Sequence, residues 1–274
     1  YFISAALKTV IERININYLQ KHGNTVPATF QGVIYEEELI EIIGYTSDNV
    51  RFKLVRTLVI KSIFLFIIIS GILPWLSDNL ANTNFLLAGL VFFAAIGLIE
   101  MLADLPFDYY HSFVIEDRYG FNTKTIKIWI SDLVKSLLVI IVLGGFLLSA
   151  LLLMLTYAGM NWWVWAWVVF LCFQLLMTVL YPTVIAPLFN KFTPLEENNL
   201  KADIEQLAKK EGIEIEGIYQ MDATRRTRHT NAYFSGLGKA KRIVLFDSLI
   251  QSHSQEEVLS ILAHEIGHLK KNHI

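Results

Sequence analysis

Near the end of the chain, His264, Glu265 and His268 form an H-E-x-x-H pattern inside Leu262-Ala263-His264-Glu265-Ile266-Gly267-His268-Leu269. On an α-helix, positions i and i+4 lie on one face, about one turn apart. His264 and His268 can therefore aim two imidazole nitrogens at one Zn²⁺, one ion per site. Glu265, next to the first of them, can reach a water on that metal. Zinc acidifies such a water, and a carboxylate so placed takes its proton as the oxygen attacks a peptide carbonyl. The chemistry that this spacing points to is hydrolysis of an amide bond.

That chemistry requires a helix under the motif and a surface beside it. Ser254-Gln255-Glu256-Glu257 is a capping-box signature, and Val258, Leu259, Ile261, Leu262, Ile266 and Leu269 supply an apolar side. The motif is thus predicted on its own capped helix. Ala263 and Gly267, one before each histidine, are small, and are expected to ease close packing around a metal. Upstream, Asn231 to Leu237 and Arg242 to Phe246 read as two strands joined by a Gly238-Lys239-Ala240-Lys241 turn. An exposed strand edge beside a metal is a platform for a peptide bound in extended form. Earlier still, Thr193-Pro194-Leu195-Glu196 reads as a second capping box with Pro at the first helical position. It predicts a helix to about Lys210, stopped by Gly212, with a short strand around Ile213, Ile215 and Ile218. Thr224 to Thr230 is a basic loop in which His229 is a possible substrate contact. His273 points away from the motif, His253 precedes its helix, and His22 and His111 are expected at an interface.

The rest of the chain is of a different character. It is 54% hydrophobic and 18% charged, with a mean hydropathy of +0.47, which places it among membrane proteins. A net charge of −2 without any Lys/Arg-rich run excludes a nucleic-acid partner. The single cysteine, Cys172, forms no internal disulfide and is expected as a small buried hydrophobe. No cleavable signal peptide is evident, and Tyr1 to Gln20 reads as a helix, either the inner end of a membrane span, which is favoured, or an interfacial amphipathic helix. Pro27 to Asn49 is an acidic connector in which Glu36, Glu37, Glu38 and Glu41 mark a solvated helix face. Four spans follow, near 54–76, 85–103, 136–157 and 162–187, and Glu100, Asp104 and Asp108 border the second. Between Ser136 and Asn190 no residue is charged; one straight helix of that length would measure about 80 Å, against about 30 Å for a bilayer core. Ala158-Gly159-Met160-Asn161 supplies the turn, Trp162, Trp163, Trp165 and Trp167 an aromatic belt, and Pro182 and Pro187 a kink or an end. Lys and Arg concentrate in alternate loops, which puts residues after Lys191, and so the motif, on the cytoplasmic side. The expected division is a membrane domain, 1–190, and the N-terminal part of a zinc peptidase domain, 191–274.

Asn231-Ala232-Tyr233-Phe234-Ser235-Gly236-Leu237-Gly238-Lys239, Arg242 to Asp247 and Leu262 to His268 resemble the integral-membrane zinc endopeptidases of the CAAX prenyl protease 1 type. Pro106-Phe107-Asp108-Tyr109-Tyr110, Glu116 to Phe121 and Tyr181 to Pro194 resemble the membrane region of the same family. The resemblance implies a barrel of membrane helices around a water-filled chamber, with zinc on His264 and His268, and Glu265 activating water. It implies that Asn231 and Ala232 lie on a strand that pairs with substrate backbone. It implies a third zinc ligand, a Glu on a later helix beyond Ile274. On that reading the present stretch is a fragment, binding zinc weakly and inactive without its C-terminal remainder.

The fold class expected is therefore mostly α and integral to the membrane: a multi-span bundle or barrel with a small cytoplasmic α+β peptidase portion. The expected partners are the bilayer, prenylated or hydrophobic C-terminal peptide tails, and a C-terminal fragment of the same protein. The membrane is that of the endoplasmic reticulum or a bacterial cytoplasm. Two other readings stand beside it: an HtpX-like quality-control peptidase, which shares the motif, and a non-catalytic membrane chaperone of the same fold.

Overall fold

The structure is a computed structural model, and it describes residues 2–23, 25–26, 30–32, 35–236 and 241–271, with side chains from residue 7 onward. The contacts divide the chain into two units, residues 1–122 and 123–274. The Gly238 to Ala240 part of the predicted turn and His273 lie outside the described residues.

The first unit is helical. Helix α1 spans Phe2–His22 and α2 spans Glu36–Ile69. The acidic run is the solvated helix face expected, and it opens α2: Glu36, Glu37 and Glu38 are exposed in its first turn, where carboxylates complement the helix dipole. The Tyr35 N–H donates to Glu38 at 3.1 Å. The first predicted span is not one helix. It breaks at Ser70-Gly71, where Gly71 takes φ +80°, and helix α3, Ile72–Leu80, leaves at 56°. A Ser-Gly pair followed by Pro74 is a common cause of a kink. Helix α4, Phe85–Arg118, runs well past the predicted end through a π turn at His111–Ile115. Its polar side chains meet those of α2. Arg56 donates to both oxygens of Asp104 at 2.6 and 2.5 Å, Tyr45 donates to Glu116 at 2.7 Å, and His111 and Asn49 lie 2.8 Å apart. Asp104 thus faces protein, as intramembrane charge usually does.

The second unit opens with α5, Ile126–Tyr157, and α6, Gly159–Phe189. Thr125 caps α5 by accepting from the Ile128 N–H at 3.3 Å. This helix starts ten residues before the uncharged stretch, so Lys127, Asp132 and Lys135 ride on its first turns. Gly159 makes the turn at φ +58°. Pro182 is absorbed in another π turn, Tyr181–Ile185, and α6 ends two residues after Pro187. Cys172 is exposed on α6, contrary to the buried position expected. On a membrane helix an apolar outer face meets lipid, so apolar surroundings in sequence do not imply burial in protein. Among the described residues, three helices (α4, α5 and α6) are long and apolar enough to cross a membrane, and α2 with α3 would make a fourth, bent span.

After α6 the chain builds a small α+β layer: β1 (Phe192–Pro194), α7 (Asn199–Lys210), β2 (Gly217–Met221), β3 (Ala232–Ser235), β4 (Arg242–Phe246), α8 (Asp247–Ser252) and α9 (Gln255–Lys270). The strand order is β1-β2-β4-β3, with β2 and β4 parallel and the outer pairs antiparallel. Thr193 and Pro194 pair with Gln220 and Tyr219 in β1, so the predicted helix start there is a strand. Asn198 is the actual cap of α7, accepting from the Lys201 N–H at 3.0 Å. Ile204 of α7, Ile243 and Leu245 of β4, Leu249 of α8, and Val258 and Leu262 of α9 are each no more than 1% exposed. This core joins both helix ends of the sheet to the helix that carries the motif.

Candidate active site

Helix α9 is fixed at its start and along one side. The Ser254 N–H donates to Glu257 at 2.7 Å, and the Ser254 hydroxyl accepts from the Glu257 N–H at 3.4 Å. This capping box holds the Glu257 carboxyl below the usual carboxylate range, chiefly through the Ser254 N–H. Val258, Leu262 and Ile266 form a buried stripe at i, i+4 and i+8. At about 100° per residue, that stripe turns His264 and His268 to the far side of the helix.

There the two histidines meet. Their Nε2 atoms are 3.0 Å apart, and the rings stand edge to face with centroids at 4.6 Å. Two nitrogens on one tetrahedral zinc, each at about 2.0–2.1 Å, would be roughly 3.3 Å apart. The pair fits a shared metal after opening by a few tenths of an ångström. Glu265 is half-buried on the next position of the same turn, and among the described residues no protein group bonds to its carboxylate. No third His, Cys, Asp or Glu gathers with them among the described residues. A methyl group on Gly267 would meet open space, so packing does not impose glycine there.

Strand β3 lies at the sheet edge, and α9 packs against it. The Phe246 N–H donates to the Asn231 carbonyl at 3.0 Å, which makes this a hydrogen-bonded antiparallel pair. By alternation, the backbone groups of Ala232 and Phe234 point away from β4, along the open edge. The Asn231 side chain covers one of them: its Oδ1 accepts from the Ala232 N–H at 2.8 Å. Ala232 itself is 2% exposed and anchors the strand in the core.

Three further residues hold this region and were given no role from the sequence. Asp247, buried at the end of β4, accepts from the Thr224 N–H and the Ser248 N–H, each at 2.9 Å, and from the Thr224 hydroxyl. The Ser248 hydroxyl then donates to the His229 carbonyl at 2.8 Å. The basic loop is therefore strapped to α8, and the structure involves the His229 main chain in that strap. Arg226 of the same loop reaches back to α5 and donates to both Asp132 oxygens at 2.9 and 2.8 Å. The sequence signal for Asp247 was an acid at the first turn after a strand. Asp132 and Arg226 are 94 residues apart and left none.

Comparison with known proteins bears on the whole chain. Residues 15–191 match a family described as CAAX prenyl protease N-terminal, five membrane helices, and residues 194–274 match peptidase family M48. The chain belongs to the CAAX prenyl protease 1 family. A CAAX prenyl protease 1 homolog of Oryza sativa is 37% identical over 259 residues, covering 91% of this chain and 61% of that protein. CAAX prenyl protease 1 of Saccharomyces cerevisiae is 43% identical over 187 residues, covering 68% of this chain and 41% of its own. The crystal structure of S. mikatae Ste24p superposes with a TM-score of 0.91 at 32% identity, covering 99% of this chain and 65% of that one. The chain thus spans between about two fifths and two thirds of the length of these family members. With its apolar helices, it is an integral membrane protein of a metallopeptidase family.

Proposed function

We propose that the chain carries the histidine pair and the general base of a membrane-embedded zinc endopeptidase acting on prenylated or otherwise hydrophobic C-terminal tails. The observation that carries this reading is the convergence of His264 and His268 Nε2 atoms at 3.0 Å on a capped helix, beside the edge strand β3. The names of the family members support the substrate class: they are CAAX prenyl proteases. The match of residues 15–191 to that family's membrane region favours this reading over an HtpX-like one.

When bound, zinc supplies a Lewis acid that acidifies a water and polarises the scissile carbonyl. His264 and His268 would hold it through Nε2. The Glu265 carboxylate takes a proton from the attacking water as its oxygen bonds to the carbonyl carbon. The same carboxyl returns that proton to the leaving amine as the C–N bond breaks. Substrate backbone adds to the open edge of β3 through Ala232 and Phe234. The Asn231 side chain, now on the Ala232 N–H, swings off it to admit the peptide and then orients it. The loops rich in Lys and Arg support a cytoplasmic side for this portion, and residues 191–274 are read as belonging to the peptidase domain.

The test is Glu265→Gln in the full-length protein, assayed on a farnesylated Cys-a-a-X peptide. Zinc content should be unchanged and turnover should fall by roughly a hundredfold or more. Undiminished turnover sinks the mechanism, and stoichiometric zinc with no cleavage by the unaltered protein would favour a non-catalytic chaperone.

A further inference from the structure

A second cavity of the 123–274 unit has no place in this mechanism. It has a volume of about 550 Å³ and lies between the first turns of α5, the end of α6 and the turn that carries Arg225 and Arg226. Five cations line it (Lys127, Lys135, Lys191, Arg225 and Arg226) against one carboxylate, Asp132. That carboxylate is already committed to Arg226, at 2.8 Å. Arg225 has a 3.2 Å contact with Asp222, and Lys135 donates to the Leu188 carbonyl at 2.8 Å. Among the described residues, the Lys127 and Lys191 ammonium groups have no protein partner. Asp132 and Asp222 offset two of these five charges, and the remaining three positive groups around one space repel one another unless an anion sits among them.

Position says which anion. Lys127 and Lys135 precede the uncharged stretch of α5 and α6, and Lys191 follows it. The cavity therefore lies where two membrane helices leave the bilayer, at the depth of lipid headgroups. One wall is apolar and exposed, made by Pro187 and Leu188 at the lipid end of α6. A soluble anion has no use for such a wall, whereas the glycerol and acyl portion of a lipid does. The volume suits a phosphorylated headgroup.

We propose that this pocket binds the multiply phosphorylated headgroup of an anionic phospholipid in the adjoining leaflet. Lys127, Lys191, Lys135 and Arg225 contact the phosphates, and the acyl chains lie along Leu188. The Arg226 pair with Asp132 holds the turn in place and is not a ligand.

The test uses the full-length protein in phosphatidylcholine nanodiscs, titrated with dioctanoyl phosphatidylinositol bisphosphate. Saturable binding is expected, weakened at least tenfold by Lys127→Gln with Lys191→Gln. It should be retained by Lys127→Arg with Lys191→Arg, and by Lys209→Gln with Lys210→Gln, which removes the same charge from α7. Equal binding by the first pair of substitutions overturns the proposal. So does equal weakening by the α7 pair, which would mean diffuse attraction. Competition by inorganic phosphate at the same concentration as the lipid would mean a free-anion site and would also overturn it. Neither zinc nor peptide cleavage enters this measurement, so it stands or falls apart from the peptidase reading.

Discussion

At the scale of single residues, the candidate site depends on side chains that never touch a substrate. Leu262 is 0% exposed and two positions before His264, so it sets the rotation of the helix. Leu262→Ala should destabilise the peptidase portion by about 2–5 kcal/mol, the usual cost of such a cavity. Hydrogen exchange in α9, compared with the unaltered protein, checks this; unchanged protection would show that the stripe does not hold the helix. His264, Glu265 and His268 were legible because three residue types at fixed spacing on a helix have one common use. Asp247 was not, because its value comes from Thr224 and Ser248 brought to it by the fold.

At the scale of elements, local signals held where no other strand or helix competed for the same backbone. Ser254 caps α9 as its sequence predicts. Thr193-Pro194-Leu195-Glu196 has the same grammar, yet β1 takes its first two residues because pairing with β2 wins. Proline is tolerated there because β1 is an edge strand. The 54–76 span looked continuous because apolar residues run through the break, and only the backbone shows Gly71 at φ +80°. The capping box also yields a pH prediction. Glu257 is held below its ordinary 4.5 in the folded protein. Its contribution is therefore fully present above that ordinary value and is lost as pH falls through the lowered one. Ser254→Ala should cost about 1 kcal/mol at neutral pH. Glu257→Gln, which removes the titrating carboxyl, should flatten the loss of stability between neutral pH and the acid side of 4.5, read from thermal unfolding at a series of pH values. A parallel drop in both proteins would disprove the assignment.

At the scale of the whole molecule, mean hydropathy and the loop charges announced a membrane protein, and the three apolar helices agree. What the sequence could not announce was which polar groups meet. Arg56 with Asp104 and Arg226 with Asp132 join segments 48 and 94 residues apart. The second pair ties the loop before β3 to α5, with both side chains less than one-fifth exposed. Arg226→Met should leave Asp132 unpaired and cost about 3 kcal/mol, while Asp132→Asn with Arg226→Met should recover part of it. Thermal unfolding of the singles and the double gives the cycle; strict additivity would mean the pair does not couple.

The most direct measurement is X-ray absorption at the zinc edge on the full-length protein, alongside zinc content. The account predicts one zinc per chain with two imidazole ligands, and loss of most of the metal in both His264→Ala and His268→Ala. Zinc bound without imidazole, or at full occupancy in either variant, would contradict it.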